Sequence, residues 1–151
     1  MNRTRFFCFV PFLLSACSPG DAVLNELVSK SDVSDDWIEV YNHGAEDMEL
    51  EGWSLTDDLD AEFFWGFPAV SLASGAFLRV WADDGDSSEG LQTNFKLSKD
   101  GESIFLLSPF GRISDTVDFP AMEAEQSYGR SPDGTGDWTV FESSTPEASN
   151  G

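Results

Sequence analysis

Cysteine, histidine, positive charge and long apolar runs are all scarce in this 151-residue sequence. The two cysteines are Cys8 and Cys17, so nothing beyond residue 17 can close a disulfide. The rest of the chain must hold together by its core, and about 130 residues are enough to build one. The single histidine, His43, sits in Tyr41-Asn42-His43-Gly44, which reads as a hairpin turn. A Ser–His or Cys–His site needs an oriented base beside its nucleophile, and a turn histidine alone does not supply one. Zinc is equally ill served, because only carboxylates would remain as ligands. Eight basic residues stand against 28 acidic ones, a net charge of −20. Nucleic acid is therefore excluded as a partner, since phosphate binding needs clustered Lys and Arg. Electrostatic adsorption to anionic lipid is excluded on the same ground. No apolar run approaches the roughly 20 residues that span a bilayer as a helix. What is present, 40% hydrophobic and 13% aromatic residues, argues for a packed domain over disorder.

The longest apolar run, Phe6 to Leu14, follows Arg3 and Arg5 and has the length of a signal-peptide core. Leu14-Ser15-Ala16-Cys17 comes next and resembles the lipobox of bacterial lipoproteins. The resemblance implies removal of residues 1–16 and a diacylglyceryl group on Cys17. Residues 17–21 are then a short polar tether. The expected address is an exported, membrane-anchored lipoprotein, with plain secretion as the alternative. Ser18 stands where inner-membrane retention would place Asp, so an outer membrane is favoured if the host has one. Loss of Arg3 and Arg5 leaves six basic residues against 28 acidic ones, a net charge of −22.

Beyond the tether, Gly, Asp and Pro interrupt every apolar run within about ten residues, the spacing of an all-β sandwich or barrel. Strands are predicted over Ala22–Val28, Asp36–Asn42, Met48–Thr56, Phe63–Phe67, Phe77–Ala82, Thr93–Leu97, Ser103–Ser108, Arg112–Phe119 and Trp138–Phe141. Ile104 to Leu107 is apolar on both faces and reads as a central strand. Met48 and Leu50 are in one alternation phase, Trp53 and Leu55 in the other. A bulge or a change of sheet at Gly52 would reconcile them. Pro109-Phe110-Gly111 predicts a tight hairpin.

Several blocks occur in the order found in the lamin tail domain in its bacterial form. Asp36 to Asn42 resembles its opening, followed by Leu50 to Asp57, Thr93 to Ser98 and Gly101 to Gly111. Asp115, Ser127-Tyr128-Gly129-Arg130, Pro132-Asp133-Gly134 and Trp138 close the resemblance, which runs from about Val23 to Pro146. It implies an immunoglobulin-like β-sandwich without a disulfide over residues 22–146, with 147–151 as a C-terminal tail. It implies a non-catalytic interaction module. In animal lamins the domain follows a coiled coil and meets chromatin and envelope proteins. Here there is no heptad rod, and the charge puts chromatin out of reach.

Candidate sites are carboxylate-based. Asp115 shares the predicted inward phase of Ile113, Val117 and Phe119, so its acid should be buried. A buried acid needs donors or a cation. Arg130, one of few basic residues left, is the candidate partner. Two acidic loops could offer calcium the six to eight oxygens it takes: Asp83, Asp84, Asp86 and Glu89, and Asp57, Asp58, Asp60 and Glu62. Neither has EF-hand spacing, and solvated loops are the plainer reading. A glycosidase would need two carboxyls in a cleft, and a small sandwich without long loops offers none. Trp37, Trp53, Trp65, Trp81 and Trp138 lie in or beside strands, where core packing is commoner than sugar stacking. Phe63-Phe64-Trp65 cannot all face one core. The sequence thus predicts no resident cofactor beyond these calcium candidates. Its expected partners are the membrane, through lipid on Cys17, and an unidentified envelope or surface protein. Calcium- or carbohydrate-binding modules and a small carboxylate hydrolase are the alternative readings.

Overall fold

Among the described residues, the short apolar runs fold into twelve strands and no helix is present. The structure, a computed structural model, describes residues 21–85 and 90–151. In chain order the strands are β1 (Ala22–Val28), β2 (Trp37–Asn42), β3 (Met48–Glu49), β4 (Ser54–Thr56), β5 (Trp65–Gly66) and β6 (Ser71–Leu72). They continue as β7 (Phe77–Trp81), β8 (Leu91–Gln92), β9 (Gly101–Leu107), β10 (Ile113–Pro120), β11 (Ser127–Ser131) and β12 (Asp137–Phe141). One sheet has the order β12-β11-β1-β2-β7-β8, the second β10-β9-β4-β5, and β3 pairs with β6 alone. All pairings are antiparallel except β7 with β8.

The two larger sheets close on one core. Leu24, Leu27, Ile38, Val40 and Val80 come from the first, and Leu55, Ile104, Leu106, Val117 and Phe119 from the second. Each such side chain, fully buried, contributes about 1.5–3 kcal/mol. The described residues hold no cysteine, so no disulfide crosses the layers. The architecture is an immunoglobulin-like β-sandwich.

The expected strand Met48–Thr56 is two strands. At Gly52, φ is +84°, and the chain leaves the β3–β6 pair for the four-stranded sheet. The change of alternation phase is therefore a change of sheet. β9 lies between β10 and β4, the central position its apolar run requires. Gly101 opens β9 at φ +90°, and a Cβ there would sit 2.5 Å from the Phe119 carbonyl oxygen.

Three expectations are corrected. Thr93–Leu97 is not a strand. The Thr93 hydroxyl donates to the Phe95 carbonyl at 2.6 Å, which bends the chain, and what remains is an isolated bridge between Asp83 and Lys96. Ile113 does not face inward. The β9–β10 register slips by one residue between Ile113 and Asp115, and this bulge leaves Ile113 50% exposed. Phe63–Phe67 contributes only the short β5, and Phe63 points out at 73% exposure. β6, β8 and β11 are strands that the alternation pattern does not predict.

Candidate functional site

Three places concentrate polar side chains inside or against the sandwich. The first joins the two sheets. β1 and β11 pair through Glu26–Gly129 and Leu27–Tyr128, and Leu24 lies beyond that ladder. Side chains meet its backbone instead. Its N–H donates to Asp115 Oδ2 at 2.9 Å, and its carbonyl accepts from Arg130 Nε at 3.0 Å. Arg130 Nη2 reaches both Asp115 oxygens, at 3.0 and 3.1 Å, and Nη1 donates to the Gly136 carbonyl. The guanidinium lies 4.8 Å from the Trp138 ring, which stacks on Tyr128. The structure thus brings Asp115 and Arg130 together, with side chains 14% and 16% exposed. Every charged atom is engaged within the fold, so the pair serves as a structural tie between layers.

The second place lies on the outer face of the six-stranded sheet. Glu26 and Glu39 face each other across β1 and β2, both fully buried. The chain from Thr145 to Asn150 covers them. Glu26 accepts from the Thr145 N–H and hydroxyl at 3.1 Å, and Glu39 accepts from the Glu147 N–H at 2.6 Å and from Asn25 at 3.3 Å. Asn150 is buried and donates to the carbonyls of Asn25 and Arg130. It lies over Gly129, where a Cβ would come within 2.6 Å of its amide nitrogen. Residues 147–151, read from sequence as a tail, lie against the sheet. Burial lifts the Glu39 carboxyl to about 7 and lifts Glu26 as well, with Asp133 adding repulsion to both.

The third place is open to solvent. A pocket of about 200 Å³ lies at the ends of β2 and β7, lined by Ser31, Ser34, Asp35, Asp36, Ala82, Asp83 and Lys96. The backbone joins its two walls through the Ala82 N–H to the Asp36 carbonyl, 2.8 Å. Glu125 fixes the Ser31 wall, accepting from the Ser31 hydroxyl at 3.0 Å and the Asp32 N–H at 2.7 Å. Asp83 is 3% exposed. Its Oδ1 accepts from the Gly85 N–H at 3.2 Å, and its Oδ2 is buried without a hydrogen-bond partner. Burial raises the Asp36 carboxyl to about 6, with help from Asp35 and against the pull of Lys96. Among the described residues, its lining includes three carboxylates and one lysine.

The remaining predicted residues lie apart. Asp58 turns its Oδ1 back to the Asp60 N–H, and Asp58, Asp60 and Glu62 are exposed. Asp84 follows Asp83 at φ +59°. Asp86, Glu89 and Cys17 lie outside the described residues. Among the described residues, no three His, Cys, Asp or Glu side chains group closely enough to hold a metal ion. Trp37 and Trp53 are buried, Trp65 packs edge-on to Phe67, and Arg79 lies over Trp81. Sequence reasoning missed Glu26, Glu39, Asp35, Asp36 and Lys96. The one local signal was Asp35-Asp36 directly before an apolar strand.

The sequence model of the family described as Lamin Tail Domain matches residues 15–121. The matched span ends before β11, so Arg130 and the covering segment lie outside it. No curated protein matches the chain.

Proposed function

Because the chain belongs to the lamin tail domain family, we propose that it is a non-catalytic protein-interaction module, held at a bacterial cell envelope by lipid on Cys17. The family match carries the first half of this reading, since the family suggests a protein-interaction module. The second half rests on Leu14-Ser15-Ala16-Cys17 behind a charged start and a short apolar core. Only Ser18 to Asp21 separate that cysteine from β1, so the lipid would hold the sandwich close to its membrane. Two or three acyl chains anchor firmly where one binds only marginally. The acidic surface suits a protein partner and repels both nucleic acid and anionic headgroups.

Fractionation of the native host's envelope tests the anchor. The wild-type protein should partition with membranes, with the outer one if there are two, and Cys17→Ser should shift to the soluble or secreted fraction. Equal membrane retention of the two would sink the lipid anchor. Cross-linking on intact cells tests the module, which requires a reproducible adduct with an envelope protein.

A further inference from the structure

We propose that the tip of the β9–β10 hairpin, Phe110 with Arg112 and Ile113, is a second membrane contact that dips into the lipid surface holding Cys17. This rests on the lipid-anchor reading and adds how the sandwich is oriented on its membrane. The placement follows from strand direction. β10 runs the same way as β1. Asp115 meets Leu24 near their starts, and beyond their ends the Glu125 N–H donates to the Lys30 carbonyl. The hairpin that precedes β10 therefore projects at the end of the sandwich where β1 begins. The tether arrives at that same end. From Cys17 to Asp21 the chain advances four residues, at most about 14 Å when fully extended. Lipid on Cys17 would thus bring this end of the sandwich, and not the other, against the bilayer.

The tip has the chemistry of a lipid contact. Phe110 is 85% exposed and Ile113 50%. Arg112, exposed between them, can lay its stem along apolar surface while its guanidinium meets a phosphate oxygen. Residues 103–114 contain no acid, in a chain that has 28. Glu51 is exposed next to Gly52 and limits the depth of entry, because its carboxylate must stay in water. Exposed apolar side chains at the opposite end lack this setting. β4 runs away from the hairpin, with Ser54 opposite Leu107 and Thr56 opposite Phe105, so the loop after it carries Leu59 and Phe63 to the far side. Asp57, Asp58, Asp60 and Glu62 flank them there. The tip is also ordered in advance. The Ser108 N–H donates to the Arg112 carbonyl at 2.8 Å and the Gly111 N–H to the Ser108 carbonyl at 2.9 Å, with Gly111 at φ +69°. Pro109 packs on Gly52, where a Cβ would come within 3.3 Å of it. Little ordering remains for lipid to impose. The anchor makes this contact intramolecular, so even a weak one is populated.

Residues 18–151 contain no cysteine, so one introduced thiol gives one labelling position. The test uses the full-length protein expressed and processed in its host, as Ile113→Cys or Phe63→Cys, spin-labelled and reconstituted in phosphatidylcholine vesicles. Vesicles carrying the protein are first isolated by flotation. Collisions of the label with a water-soluble nickel chelate should then be severalfold fewer at 113 than at 63, and collisions with oxygen, which concentrates in lipid, more frequent at 113. Adding Phe110→Ser to the Ile113→Cys protein should return that label to water. Equal exposure of the two labels to nickel in floated vesicles would overturn the contact and leave the anchor standing. A label at 113 that stays shielded despite Phe110→Ser would also overturn it. Shielding at 113 seen in native envelopes and absent from pure lipid vesicles would assign the tip to an envelope protein instead. Protein that does not float would sink the anchor, and this contact with it.

Discussion

Arg130 shows how much one side chain can hold. It closes the gap beyond the β1–β11 ladder, neutralises Asp115 on the other sheet and lies over Trp138. Its planar guanidinium reaches three acceptors in fixed directions, which a lysine cannot do. Removing one member of a buried pair leaves the other charge uncompensated. Arg130→Met should therefore lower the unfolding free energy by about 3 kcal/mol in urea, the low end for a buried pair. The loss in an Arg130→Met, Asp115→Asn double variant should fall short of the sum of the single losses by at least 0.5–1 kcal/mol or so. Simple additivity would mean the two side chains do not act as a unit. The sequence allowed this pair to be read, because Asp115 broke an apolar phase and basic residues are few. Ile113, two positions away, was misread because a one-residue bulge leaves no trace in an alternation pattern.

At the scale of elements, strands with long alternation were legible and those without it were not. β1 lies where its apolar run placed it, and β9 is central because both its faces are apolar. β11, Ser-Tyr-Gly-Arg-Ser, is polar at most positions, and its partner surface comes from residues more than 100 positions earlier. The same distance hid Glu26 and Glu39, whose alternation reads as a solvent face until the segment from Thr145 covers it. That cover has a pH signature. Burial raises Glu39 to about 7, against an unfolded value near 4.5, and Glu26, Asp36 and Glu102 are raised too. The folded protein then binds more protons than the unfolded chain between about pH 4.5 and 7. Stability must fall as pH rises through that window, by up to roughly 1.4 kcal/mol per pH unit for each group. Melting temperature should be higher near pH 5 than near pH 8. Glu39→Gln should flatten the slope, because glutamine keeps the shape and cannot ionise. An unchanged slope in that variant would place the pH dependence elsewhere.

Charge is what sets the behaviour of the whole molecule. The sequence carries a net charge of −20, and self-repulsion at that density disfavours the compact state. Two kinds of cation effect are separable. Diffuse screening acts on all exposed acids and depends on ionic strength, with a Debye length near 10 Å at 0.1 M. A bound ion acts through mass action and depends on its own concentration. The loop from Asp57 to Glu62 fits the first. The Asp58 carboxylate is committed to the Asp60 N–H, its carbonyl accepts from Thr56, and Asp60 and Glu62 stand in solvent. Calcium would have to rebuild that turn to gather six oxygens. Sodium chloride should therefore raise the melting temperature over the range from about 10 to 300 mM, where the Debye length shrinks below the spacing of most surface charges. A few millimolar calcium at equal ionic strength should add nothing further. A calcium-specific rise that survives in an Asp57→Asn, Asp58→Asn, Asp60→Asn variant would point away from this loop, to the acidic stretch after Asp83. A rise lost in that variant would mean that the turn does rearrange around an ion.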